Sequence, residues 1–203
     1  MLNGPFIDRY FADMRQIVDT ISREDIDRAI EALFTAWREG RTVFLMGNGG
    51  SASTATHFAC DLSKVTACDG QPRLRAISLC DNPALIGALT NDEGFDRIFS
   101  EQIRSLMQPR DVLIGISVHG GSGSDKAGLW SQNLLRAMRV AKDEFQATVI
   151  GFSGFDGGAF REAADVCVTV PFPSTPQVES FHLALEHLIT FCLKEKIANC
   201  LHP

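Results

Sequence analysis

The chain has 203 residues, 45% of them hydrophobic and 22% charged, the balance of a soluble globular protein and far from the charge-rich composition that keeps chains disordered. Nineteen basic against twenty-five acidic side chains leave a net charge of −6, the wrong sign for a partner made of phosphate backbone, so nucleic acid is not expected. No apolar run approaches the roughly 20 residues of a membrane span, and no basic start precedes an apolar signal core, which predicts a cytoplasmic protein with no membrane partner.

From Phe6 to Trp37 the apolar residues keep a helical beat in two stretches, Phe6 to Ile21 and Ile26 to Trp37. Ser22 followed by Glu24 and Asp25 marks the restart, a capping hydroxyl with acidic residues in the first turn. The greasy stripe of the first helix needs a cover, and a partner subunit supplies one, so an oligomer is expected. Residues 1–40 are therefore read as a helical oligomerisation segment and 41–203 as the main domain.

After Gly40 the pattern changes to short apolar runs: Val43 to Met46, Leu74 to Leu79, Val112 to Ile116, Thr148 to Phe152 and Val166 to Val170. Nearly continuous hydrophobicity in short strands separated by helical segments predicts an α/β fold, a doubly wound five-stranded parallel sheet covered on both faces. Six cysteines, Cys60, Cys68, Cys80, Cys167, Cys192 and Cys200, show no CxxC spacing and are expected as reduced thiols.

Two Gly-rich stretches follow strands directly, where open α/β sheets bind ligands. Gly47-Asn48-Gly49-Gly50-Ser51-Ala52-Ser53 runs from strand to helix and offers open amides and a helix N-terminus to an anion. A plain strand-to-helix turn is the alternative, and Gly47, Gly49 and Ala52 also match a loose dinucleotide fingerprint, with Asp81 as its ribose acid. The second stretch, Ser117-Val118-His119-Gly120-Gly121-Ser122-Gly123-Ser124, combines hydroxyls and amides suited to a phosphate monoester. His57 and Asp61 share one helix face at i, i+4. On the last helix Glu179, His182, Glu186 and His187 punctuate an apolar stripe, and His182 reads best as a core histidine.

The strings GNGGSASTATHFACDL, AISLCDNPALIGALTNDEGFDRIFSEQI, GIS with its Gly/Ser loop, GFDGG and VTVPFPSTPQVESFHLALEH resemble the bacterial phosphoheptose isomerases, which are sugar isomerase (SIS) domain proteins. The resemblance runs over almost the whole chain. It implies conversion of sedoheptulose 7-phosphate to D-glycero-D-manno-heptose 7-phosphate in a homotetramer with sites between subunits. It further implies Asp61 and His187 as the acid/base pair, and phosphate held by Asn48, Gly49, Gly50, Ser51, Asp92, Ser117, His119 and Ser122. In members that bind Zn²⁺, the matching positions here are His57, Asp61, Glu179 and His187.

This sequence departs from the family at three places. The family's glutamate is Asp61, one methylene shorter, and its glutamine is Glu179, a second carboxylate that favours a divalent cation. Val118 and His119 replace hydroxyl residues of the phosphate loop, and Ser122 to Trp130 form an insertion carrying Asp125 and Lys126. A non-catalytic SIS module that senses sugar phosphate or binds protein is the competing expectation.

Overall fold

The computed structural model describes residues 3–121 and 131–200, so the expected phosphate ligand Ser122 and the inserted Asp125, Lys126 and Trp130 lie outside the described residues. Two helices lead, α1 (Gly4–Thr20) and α2 (Arg23–Arg38), and the hydroxyl of Ser22 caps the second by accepting from the Asp25 amide at 3.1 Å. Then strands and helices alternate: β1 (Thr42–Gly47), α3 (Gly50–Lys64), β2 (Arg75–Ser78), α4 (Pro83–Asp92), α5 (Ile98–Leu106) and β3 (Val112–Ile116). They continue with α6 (Gln132–Phe145), β4 (Thr148–Gly154), α7 (Phe160–Ala163), β5 (Val166–Val170) and α8 (Thr175–Asn199).

All five strands are parallel, in the order β2-β1-β3-β4-β5. Side chains alternate across the sheet and feed two cores. Val43 and Leu45 point to the face covered by α2, α3 and α8, where Leu33, Phe58 and Ile189 are buried. Phe44 and Met46 point to the other, against Phe99 and Ile103 of α5 and Leu134 and Met138 of α6. Ile17 at the end of α1 joins the first core, so the N-terminal helices share the sheet's packing. β2 is an edge strand with Ile77 exposed. Among the described residues no helix is long and apolar enough to cross a membrane.

This order has its switch point between β1 and β3: the chain winds outward to β2 from one and to β4 and β5 from the other. At such a point the loops beyond the carboxyl ends diverge and leave a crevice. The loops after β1 and β3 are the two Gly-rich stretches.

Candidate active site

Gly47 ends β1, and a Cβ there would come within 2.5 Å of the Ser51 carbonyl oxygen, so only glycine lets the chain fold back tightly enough to start α3. Gly120, at φ 61°, lies under the loop after β4, and its added Cβ would sit 1.9 Å from the Gly157 oxygen. Between these turns lies a recess of about 150 Å³ lined by Asn48, Ser51, Ser117, His119, Ser131 and Glu179, among others. The Ser117 hydroxyl accepts from the Gly121 amide at 3.2 Å, which holds the loop closed on itself. Gly49 and Gly50 open α3, so the amide end of that helix borders the recess and suits an anion.

Four of the expected phosphate residues, Asn48, Ser51, Ser117 and His119, thus line one recess. Asp92 does not: it is exposed at the end of α4, where its carboxylate accepts from Asn91 at 2.7 Å. Asn133 had no signal in the sequence. It is fully buried at the start of α6 and exchanges two amide hydrogen bonds with Asn48, at 2.8 and 3.1 Å. It orients the Asn48 side chain and becomes visible only once α6 is docked beside β1. Asp81, the candidate ribose acid, accepts from the Thr56 hydroxyl at 2.6 Å.

A second constellation lies between α3 and α8. His57, Asp61, Glu186 and His187 each offer a donor atom, and these atoms lie within 4.8 Å of one another. The two imidazoles meet edge to face with centroids 5.0 Å apart. Asp61 Oδ2 is 3.8 Å from His57 Nε2 and 3.7 Å from His187 Nε2. Glu186 Oε1 is 3.4 Å from His57 Nδ1 and from His187 Nε2.

The imidazoles are about half exposed while the Glu186 side chain is only 1% exposed. Neither of its oxygens has a hydrogen-bond partner. Burial, and then the neighbouring Asp61 charge, push its carboxyl up to about 8. Two imidazoles and two carboxylates with donor atoms gathered within 4.8 Å, and buried lone pairs left over, form a donor set whose chemistry fits a divalent cation such as Zn²⁺.

The expected metal set differs from this group at one position. Glu179 stands at the recess: a Cβ on Gly50 would meet its Oε1 at 2.6 Å. Glu179 and Glu186 are two helical turns apart, about 10 Å, on the same face of α8, so one face carries two carboxylates and only Glu186 reaches the imidazoles. His182 is buried and belongs to the core. Its Nε2–H donates to the Ser153 carbonyl at 2.9 Å, its ring packs edge-on to Phe152, and burial lowers its pKa to about 4.

Comparison with known proteins agrees with this architecture. Residues 9–154 match the SIS domain. The phosphoheptose isomerase of Syntrophotalea carbinolica is 35% identical over 194 residues, covering 94% of this chain and 93% of that protein. The chain belongs to the phosphoheptose isomerase family of SIS-domain proteins. The lincomycin biosynthesis protein LmbN of Streptomyces lincolnensis is 39% identical over 182 residues, which is 88% of this chain but 65% of that longer protein. Among solved structures, a phosphoheptose isomerase from Neisseria gonorrhoeae superposes with a TM-score of 0.83 at 29% identity, covering 96% of this chain and all of that one. A phosphoheptose isomerase from Francisella tularensis gives 0.80 at 25% identity, covering 95% and 96%.

Proposed function

We propose that the protein is an aldose-ketose isomerase that interconverts sedoheptulose 7-phosphate and D-glycero-D-manno-heptose 7-phosphate. The observation that carries this reading is the two-level contact of α3 with α8. The anion-binding end of α3 lies at the recess, and His57 stands seven residues, about 10 Å, further along the helix. A sugar phosphate held by its phosphate at the recess, through Asn48, Ser51, Ser117 and His119, extends along α3. Its C1 and C2 then come to Asp61 and His187.

The reaction moves a proton between C1 and C2 through a cis-enediol while the two oxygens exchange protons. Asp61 and His187 share this work. Their side chains approach at 3.7 Å from separate helices, so one can take the carbon-bound proton while the other serves the oxygens. The Glu186 carboxyl beside them, held in its neutral form to higher pH than usual, limits the negative charge facing an enediolate. A divalent cation such as Zn²⁺, bound through His57, Asp61 and His187, would supply electrophilic polarisation of the carbonyl.

A homotetramer completes the reading. Phe6, Ile7 and Phe11 of α1 and Leu188 and Phe191 of α8 are exposed, more contiguous apolar surface than a monomer usually leaves in water. We place the enzyme in the cytoplasm, a setting that fits its six free cysteines. NMR of the purified protein with sedoheptulose 7-phosphate should show the aldose appearing. Binding without conversion of any C5 to C7 sugar phosphate would establish a sensing module instead.

A further inference from the structure

A cleft of about 900 Å³, several times the volume of the recess, lies on the sheet face covered by α5 and α6. That is near the upper end of what small-molecule sites occupy. One wall is a stripe of α6, where Arg136, Arg139 and Asp143 stand at i, i+3 and i+7 on one helix face. The other is formed by Phe95 and Asp96, in the short 3₁₀ turn Phe95–Arg97, and by Arg104 of α5. Ion pairs fix the two ends. Arg136 donates to the Asp96 carboxylate at one, and Arg104 Nε donates to Glu144 at 3.0 Å at the other. Between them Arg139 is exposed, and neither its side chain nor that of Asp143 has an ion pair or hydrogen bond among the described residues. Next to Asp96 the Phe95 ring is 38% exposed, an aromatic face open to the cleft.

We infer that this cleft binds a nucleoside diphosphate, its base stacked on Phe95 and its two phosphates held by Arg136 and Arg139. The order of groups along the cleft carries this assignment. Arg136 and Arg139 are about 4.5 Å apart along the helix axis, so their guanidinium groups meet neighbouring phosphates, each through a fork of parallel N–H donors. A guanidinium has five such donors, and Asp96 takes only part of the set on Arg136. Inorganic phosphate would engage the arginines and leave Phe95 in water. A sugar monophosphate has one phosphate and no flat face for the ring. A nucleotide supplies both, and stacking on an aromatic side chain tolerates any base. Beyond Arg139 the wall turns acidic, with Asp143 and then Glu144. A third phosphate would meet those carboxylates, so like-charge repulsion selects a diphosphate over a triphosphate. The cleft shares no residue with the recess or with the α3–α8 cluster, so its ligand is tested by binding alone.

Titration calorimetry of the full chain with ADP and with GDP, without added Mg²⁺, should give dissociation constants on the order of tens of micromolar for at least one of them. The matching triphosphate and monophosphate should each bind at least about fivefold more weakly. Arg139→Ala should weaken the diphosphate by more than about tenfold. Phe95→Ala should weaken it about tenfold while leaving inorganic pyrophosphate, which has no base, within about twofold. Both side chains are exposed, so the variants should fold, and circular dichroism checks that they do. A saturating excess of sedoheptulose 7-phosphate should leave nucleotide binding unchanged, since the recess is a different site. Failure of both purine diphosphates to bind below about a millimolar would overturn the assignment. So would binding that the sugar phosphate displaces, or that Arg139→Ala leaves undiminished. A triphosphate that binds more tightly than the diphosphate would overturn the selection for two phosphates. A protein that binds ADP or GDP through Arg139 and Phe95 but converts no sugar phosphate would uphold the cleft and remove the isomerase reading.

Discussion

The recess at the β1/β3 switch point and the cluster between α3 and α8 solve opposite problems. In the recess most of the working groups are backbone amides, hydroxyls and carboxamides held by neutral hydrogen bonds, Asn48 with Asn133 and Ser117 with Gly121, with the Glu179 carboxylate at its rim. In the cluster two carboxylates and two imidazoles crowd together, and one carboxylate is buried with nothing to satisfy it. Binding an anion asks for a rigid cradle that holds its shape when empty. Moving protons or holding a cation asks for charge kept close to its tipping point, and folding must carry that electrostatic cost. The contrast assigns specificity and shape to the loops, and reactivity to the helix pair.

The contrast breaks first at His187. Replacing it with alanine should lower turnover by about a thousandfold while sugar-phosphate affinity, set by the loops, stays within a few-fold. NMR turnover and calorimetric binding check the two halves separately, and loss of both together would show that the regions are not separable. Gly120→Ala strikes the opposite region. With a Cβ 1.9 Å from the Gly157 oxygen and φ at 61°, it should cost more than about 3 kcal/mol, read as a collapse of the melting temperature and of phosphate binding together.

The pH dependence of stability sharpens the comparison, since Glu186 and His182 of α8 are shifted in opposite directions. In the metal-free protein Glu186 keeps its proton up to about 8, whereas the unfolded chain releases it near 4.5. Stability from this group is full below pH 4.5 and falls as pH rises through 8, by up to a few kcal/mol. Glu186→Gln should flatten that alkaline fall in pH-dependent melts. His182 has the opposite sign. The unfolded chain takes up a proton near 6.5 and the native state only near 4, so stability is full above 6.5 and is lost as pH falls toward 4. The smallest expected effect is Asn133→Ala, which removes its two hydrogen bonds with the Asn48 carboxamide. It should raise KM about threefold with kcat little changed and lower stability by about 1–2 kcal/mol.

Much of the frame is legible from the chain alone. β1 and β3 are continuous apolar runs because both their faces are covered, and Gly47 and Gly120 advertise turns that no side chain fits. β2 is less regular, since an edge strand has weaker burial to enforce its pattern: Ile77 is exposed although it sits in an apolar run. The inserted segment from Ser122 to Trp130 offers no periodicity to read.

The amino-acid order alone determined the parallel sheet, the placement of both Gly-rich loops after strands, and the pairing of His57 with Asp61, because these follow from local periodicity and short-range spacing. It could not decide between Glu179 and Glu186, since a seven-residue step returns both to one face of α8 and sequence distance carries no depth. Only the packing of α3 against α8 separated them, burying one carboxylate among imidazoles and leaving the other at the recess. The same holds for Asn133: its contact with Asn48 spans 85 positions and exists only because the start of α6 docks beside the end of β1, a long-range fact that no local pattern encodes.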